Sequence, residues 1–239
     1  LQQKDSTRLY APGSNVAFGS VDPAPHADFY TAERFLNSNF RGSYGGLNGH
    51  VNQQYPSSMV NYDDAVAQLA ELGVPSFSEP QKYTGVLDAR NFKLIAENLK
   101  EKGFTETDVR RAIEASGMLS RIGYKAEIEA ARRTAGMSGI SLLGIQDFSG
   151  QGTALVGMMN ALGESKPYDF ADPEAFSSFF SPVAPLFETS KFCWTNEEKL
   201  TGSLLLSNYA QDDVKGEISY KLTEKDGSVF YEGKTKSVL

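Results

Sequence analysis

The sequence predicts an α/β region followed by the start of an all-β sandwich. Up to Ser190, short apolar strands alternate with amphipathic helices, which is the pattern of a parallel sheet covered by helices. After Ser190, strands of alternating apolar and polar residues follow one another, with turn residues between them. We therefore expect two domains, residues 1–190 and residues 191–239.

The first part of the α/β region is rich in loops. Residues 8–11 predict a short strand, and residues 18–62, rich in glycine, asparagine and serine, predict a long loop. Residues 63–72 carry apolar side chains at helical spacing behind Asp63, which can cap a helix. Residues 74–78 predict the next strand, which ends directly before Glu79.

Helices dominate the middle of the chain. Residues 89–102 are amphipathic, and Gly103 is placed to end this helix. Thr105 and Asp108 have the spacing of a capping pair, which predicts the start of another helix. Residues 119–133 predict a further helix with an apolar side and a charged, solvated face.

The α/β region is predicted to end with one strand and two helices. Residues 141–145 are apolar enough for a buried strand, and residues 153–161 predict a helix after it. Asp172 and Pro173 predict the start of the last helix, because aspartate caps a helix and proline fits its first turn.

The β region contains three predicted strands, at residues 200–209, 214–223 and 228–233, with a hairpin turn between the last two. Three strands are too few for a stable sandwich. The strands predicted before Ser190 are likewise too few for an eight-stranded (β/α)₈ barrel. We therefore expect both domains to be parts of larger ones.

Composition excludes several classes of function. The net charge of -7 argues against nucleic acid or an anionic membrane as a partner. No apolar run approaches the roughly 20 residues that a membrane-spanning helix needs, so we expect no membrane insertion. The single cysteine, Cys193, and two distant histidines predict neither a disulfide nor a metal site, and no cofactor is expected.

Polar side chains follow the predicted strands at the points where strands end. These are Asn15, Glu79, Gln146 and Asp147. In a (β/α)₈ barrel the chemistry lies at this end of the strands, and carboxylates with amides suit glycoside hydrolysis. Two alternatives remain open at this point: Glu79 is also typical of a surface turn before Pro80, and Asp147 of a turn residue that bonds the local backbone.

One long stretch resembles a known family. The residues SLLGIQDFSGQGTALVG, 141–157, resemble the final barrel strand and loop of bacterial family 2 glycoside hydrolases of the β-galactosidase/β-glucuronidase-like group with a sugar-binding domain. Four shorter stretches match the same group in order: DSTRLYA at 5–11, GSN at 13–15, YPSSMVNYD at 55–63 and KYTG at 82–85.

The resemblance implies the carboxyl-terminal part of a (β/α)₈ TIM barrel, followed by a partial immunoglobulin-like sandwich. It implies a retaining exo-glycosidase acting on a terminal β-linked sugar such as a β-galactoside. Glu79 is then the catalytic nucleophile in a shortened motif, or the nucleophile lies in a stretch missing between Ser78 and Lys82. Asn15, Gln146, Asp147 and Gln151 would line the sugar site.

The same resemblance places the acid/base glutamate upstream of Leu1, so that we expect the isolated chain to be inactive. The expected partners are an oligosaccharide or glycoside substrate, together with the upstream barrel half and sugar-binding domain of the same parent protein. A periplasmic or secreted location is implied by the family alone. The alternative is a non-catalytic carbohydrate-binding or scaffolding protein that retains the barrel fold, and a third possibility is a purely structural module.

Overall fold

The computed structural model describes ten segments of the chain, residues 4–9, 16–17, 30–34, 65–69, 84–88, 90–133, 137–142, 144–148, 155–190 and 193–238. Three of the predicted site residues, Asn15, Glu79 and Gln151, lie outside these segments. The predicted strand at residues 74–78 also lies outside them.

A parallel sheet forms the first layer of the described structure. Its strands are β1 (Val16–Ala17), β2 (Tyr30–Arg34), β3 (Ala65–Leu69) and β4 (Met137–Leu142), and they lie side by side in chain order. Each neighbouring pair is parallel. Parallel strands that neighbour one another in chain order are compatible with part of a (β/α)₈ barrel, and the barrel itself stays a prediction.

The helix predicted over residues 63–72 is wrong, because the described residues of that range form the strand β3. Pairing on both sides overrides the helical spacing, because β3 is bonded to β2 along one edge and to β4 along the other. The next strand, β4, begins and ends a few residues before the predicted strand at 141–145. Gly144 follows it with a φ of +88°, a backbone conformation that favours glycine.

A short 3₁₀ helix, Gly85–Leu87, and two α-helices lie between β3 and β4 in the described part of the chain. The first α-helix, α1 (Arg90–Glu101), confirms the predicted amphipathic helix, and Gly103 follows it with a φ of +86°. The second, α2 (Glu106–Arg133), is one continuous helix where the sequence predicted two. Its start confirms the predicted cap: the backbone N–H of Thr105 donates to Asp108 Oδ2 at 2.9 Å, and that of Asp108 donates to Thr105 Oγ1 at 3.2 Å.

The main apolar cluster lies between α2 and the segment that follows the sheet. A 3₁₀-helical turn, Asp169–Ala171, and the helix α3 (Pro173–Phe180) both pack on α2. The buried members of the cluster are Tyr124, Ile128, Met158, Phe170, Ala171 and Phe179. Gly117 permits this packing, because a Cβ at that position would lie 2.1 Å from the Phe170 ring. The predicted Asp172 cap is confirmed by bonds from the N–H groups of Glu174 and Ala175.

Two antiparallel hairpins complete the described chain. The first joins β5 (Val183–Thr189) to β6 (Gly202–Asn208), and the second joins β7 (Lys215–Thr223) to β8 (Val229–Val238). The predicted domain boundary at Ser190 falls in the connection between the paired strands β5 and β6. The division into residues 1–190 and 191–239, like the immunoglobulin-like sandwich, stays a prediction.

Arg132, at the end of α2, forms hydrogen bonds with the first hairpin and with the residues just before it. Its Nη1 donates to the backbone oxygen of Ser181 at 2.7 Å, and its Nε donates to Ser207 Oγ at 3.1 Å. The guanidinium also lies 5.5 Å from the centre of the Tyr209 ring. These contacts join the helical layer to the β5–β6 hairpin.

Candidate functional site

The candidate site lies in the loop that follows β4. Three short stretches of this loop run side by side, because Gln146 bridges to Met159 and Met159 bridges to Ser165. The backbone N–H of Asp147 donates to the Met159 oxygen at 2.9 Å, and that of Met159 donates to the Ile145 oxygen at 3.0 Å. The sequence predicted a helix over residues 153–161. Its described part, residues 155–161, is instead irregular backbone held by these bonds.

A buried ion pair crosses the loop. Lys166 Nζ lies 2.9 Å from Asp147 Oδ1, and the two side chains are 0% and 2% exposed. Asp147 Oδ1 also accepts from the N–H of Gly157 at 2.9 Å, while Lys166 Nζ also donates to the backbone oxygen of Leu155 at 3.2 Å. Each charge therefore has both its partner ion and a backbone group, which is the arrangement that makes buried charge tolerable.

Burial also acts on the protonation of the lysine. It lowers the pKa of the Lys166 ammonium below the ordinary lysine value, because a charged group is disfavoured away from water. The Asp147 carboxylate opposes this by raising the same pKa through its charge and hydrogen bond. The charged form of Lys166 is therefore supported by its pairing with Asp147.

We call residues 144–148 the outgoing arm of this loop and residues 155–161 its returning arm. Gly157 is required because the two arms lie close together. A Cβ at this position would lie 2.6 Å from the Asp147 nitrogen, 2.6 Å from the Gln146 carbonyl carbon and 2.7 Å from the Met159 oxygen. All three are backbone atoms, so no side chain could move aside to make room. A glycine at position 157 therefore allows the backbone of Asp147 to lie this close to the facing part of the loop.

Asn160 organises the turn at the far side of the loop. Asn160 is buried, with only 1% of its surface exposed. Its Oδ1 accepts from the N–H groups of Leu162 at 2.9 Å and Glu164 at 3.1 Å, and its Nδ2 donates to Glu164 Oε2 at 2.8 Å. This is an asparagine-centred turn, in which the side chain replaces backbone hydrogen-bond partners. We call Gln146, Asp147, Gly157, Asn160 and Lys166 together the polar clasp.

Gln146 is the exposed member of the polar clasp. Its Nε2 donates to the backbone oxygen of Ala161 at 2.8 Å. That bond fixes which way the amide is turned, because the opposite orientation would set two oxygens against each other. Oε1 is therefore the acceptor that this side chain offers, and an amide acceptor at a strand end can take a hydrogen bond from a hydroxyl group.

The structure describes two of the five predicted site residues, the neighbours Gln146 and Asp147, and their environments differ. Gln146 is exposed, whereas the Asp147 carboxylate is directed into the loop interior. The prediction that Asp147 lines a sugar site stays a prediction, and its side chain at 2% exposure offers little surface for a direct contact. Lys166 and Asn160 were missed by the sequence analysis, since a buried lysine in a polar loop carries no periodic signal.

The described residues provide no evident metal site. Among them, histidine, cysteine, aspartate and glutamate side chains form no group of three or more that could hold a metal ion. The helices of the described segments are also too short or too polar to cross a membrane.

No protein-family model matches the chain, and no curated protein matches it. The resemblance to family 2 glycoside hydrolases therefore rests on the quoted residues themselves.

Proposed function

We propose that this chain supplies the later strands and the sugar-contacting loop of a retaining exo-glycoside hydrolase, acting on a terminal β-linked sugar such as a β-galactoside. The observation that carries the proposal is an exposed amide, Gln146, beside a buried and ion-paired carboxylate, Asp147, in the loop that follows the parallel strand β4. In barrel enzymes this end of the strands carries the substrate-binding groups. The stretch at residues 141–157 adds the family resemblance.

In this proposal Glu79 is the nucleophile and attacks the anomeric carbon of the terminal sugar. The bond to the departing alcohol breaks, and a separate carboxylic acid, the acid/base group, protonates the leaving oxygen. Water then attacks the covalent glycosyl-enzyme, and the acid/base group takes up its proton. Asn15, Gln146 and Gln151 bond the sugar hydroxyls, while Asp147 shapes the loop that carries Gln146.

The test uses an activated substrate, because its leaving group departs without protonation. The 239-residue chain is incubated with 2,4-dinitrophenyl 2-deoxy-2-fluoro-β-D-galactopyranoside, and its intact mass and peptides are measured. Formation of one fluorogalactosyl ester on the peptide that contains Glu79 is the expected result. The Glu79→Gln variant should stay unlabelled, and a Glu174→Gln variant in the exposed first turn of α3 should label like the unmodified chain. An unlabelled Glu79 in a chain that still binds galactosides would contradict the catalytic part of the proposal.

The second candidate is a non-catalytic carbohydrate-binding or scaffolding protein. It is favoured by the use of Asp147 in the loop interior, where Oδ1 is engaged by Lys166 and by the N–H of Gly157. A carboxylate committed in this way stabilises a binding loop without taking part in chemistry. Binding of methyl β-D-galactopyranoside without any adduct would support this candidate, and absence of both would leave only a structural module.

A further inference from the structure

The orientation of Gln146 depends on groups that are distant in the sequence. The amide is held by the backbone oxygen of Ala161, which belongs to the returning arm of the loop. Gln146 itself belongs to the outgoing arm, next to Asp147. The hydrogen bond therefore holds the Gln146 side chain in this orientation for as long as the two arms keep their relative position.

The Lys166 side chain also connects the two arms. Lys166 follows the returning arm, its backbone N–H donates to the Met158 oxygen at 3.0 Å, and its ammonium reaches across to Asp147 at 2.9 Å. Asp147 in turn accepts from the N–H of Gly157 through the same oxygen, Oδ1. Removing the ammonium would take away the charge that lies 2.9 Å from the buried Asp147 carboxylate, and loss of a paired charge favours entry of water or an outward movement. We expect either response to weaken the bond between Gln146 and the Ala161 oxygen.

We propose that Lys166 is a positioning residue for sugar recognition, which acts through Asp147 to hold Gln146 with its Oε1 ready to accept a hydrogen bond from a sugar hydroxyl. This inference rests on the proposed sugar site. It adds that the contact is made by the amide oxygen and that its geometry is controlled by a buried lysine that never touches the sugar.

A double-mutant cycle between Lys166 and Gln146 tests the inference. The probe is methyl β-D-galactopyranoside, and its affinity is measured by calorimetric or NMR titration for the 239-residue chain and for the Lys166→Met, Gln146→Leu and doubly substituted variants. Loss of one hydrogen bond corresponds to a weakening of about tenfold. Each single variant should weaken binding by about this factor. The double variant should bind no more weakly than Gln146→Leu alone, because both changes remove the same contact.

Folding must be separated from positioning in this test. Near-ultraviolet circular dichroism establishes that each variant is folded at the titration temperature. Lys125→Met is the matched control, since this exposed lysine of α2 pairs with Glu129. The affinity of this variant for methyl β-D-galactopyranoside should stay unchanged. If Lys166→Met does not fold, the same cycle is run with Lys166→Gln, which removes the charge and keeps a polar head group.

The outcomes distinguish the inference from the proposed function. If the unmodified chain binds no galactoside, the proposed sugar site fails, and the inference fails with it. If the chain binds and Gln146→Leu weakens binding, the sugar site stands. The inference is then overturned either by a folded Lys166 variant that binds normally or by effects of the two substitutions that multiply in the double variant.

Discussion

The polar clasp and the β7–β8 hairpin hold their backbones in opposite ways. In the clasp, Asp147, Asn160 and Lys166 are polar residues that are each at most 6% exposed, and their side chains are bonded to one another or to the loop backbone. In the hairpin the backbone ladder is long, yet Phe230 is 75% exposed and Tyr231 is 55% exposed. Only Ile218 is a buried apolar residue among the described residues of these two strands.

The difference shows that regular pairing and burial are separate sources of order. A ladder of backbone bonds gives the hairpin its shape, although each such bond replaces one to water and contributes little net free energy. The clasp lacks regular structure, but its charges are buried and become costly as soon as a partner is removed. Substitutions in the clasp should therefore lower stability far more than substitutions of the hairpin's exposed rings.

The largest effect is expected for Lys166→Met. This change removes the lysine charge that pairs with the buried Asp147 carboxylate, and breaking a buried ion pair costs about 3–5 kcal/mol in the free energy of unfolding. Denaturant titration followed by circular dichroism measures it. The pair Lys166→Met with Asp147→Leu should recover part of the loss, because two apolar groups can replace a buried ion pair. The recovery is incomplete, since the N–H of Gly157 and the oxygen of Leu155 lose their bonds to these side chains. Equal losses in the single and double variants would show that the charge imbalance is not the cause.

The same comparison should depend on pH in a defined direction. Burial places the folded-state pKa of Lys166 below the ordinary value of 10.5. Between these two values the unfolded chain binds more protons than the folded one, so stability rises with pH there and is lost as pH falls through the folded-state pKa. The stability advantage of the unmodified chain over Lys166→Met should therefore grow as pH rises toward 10.5. A flat difference in that range would mean that burial does not perturb the lysine.

A smaller loss is expected for Gly157→Ala. The added Cβ would lie 2.6 Å from two backbone atoms of Gln146 and Asp147, so the arms of the clasp must separate. Overpacking of this kind costs about 1–3 kcal/mol. Gly216→Ala in the hairpin is the matched control, because nothing lies within 4 Å of the Cβ it would add. Equal losses in the two variants would contradict the tight packing of the clasp.

Within the hairpin, Ile218→Val should cost about 0.5–1.5 kcal/mol, since it deletes one methylene group from a side chain that is mostly out of water. Ile218 is 8% exposed, which makes it the hairpin position most sensitive to truncation in the described structure. Thermal unfolding of the full chain measures the change. An effect as large as that of Lys166→Met would mean that the hairpin contributes more to stability than its burial indicates.

The smallest effect is expected for Phe230→Ser. This ring is largely in water, so its removal should change the free energy of unfolding by no more than about 0.5 kcal/mol. Denaturant titration beside Ile218→Val gives the comparison within one hairpin. A loss of several kcal/mol would show that the Phe230 ring is covered in solution.

Local chemistry explains what the sequence predicted well. The caps at Thr105 and Asp172 and the stop at Gly103 depend on neighbouring residues only, and all three are found where expected. The strand β3 was missed because its conformation is set by partners on both sides, which come from distant parts of the chain. Helical spacing in its own residues pointed the other way.

The candidate site was predictable to the same extent. Gln146 and Asp147 were predicted as site residues because strand ends in α/β proteins carry functional groups, and that role stays a prediction. The burial of Asp147 was not foreseen, because its partner Lys166 lies in a loop with no periodic pattern and is brought near by the close approach at Gly157. A contact of that kind depends on the folded backbone.

The most direct test of the proposed sugar site is an NMR titration of the 239-residue chain with methyl β-D-galactopyranoside, observing the side-chain amide of Gln146. Gln211, exposed in the connection between β6 and β7, serves as the internal reference. A saturable shift of the Gln146 amide, with Gln211 unchanged, is the predicted result. Unchanged signals for both amides at saturating sugar, or equal shifts of the two, would contradict a sugar site at the polar clasp.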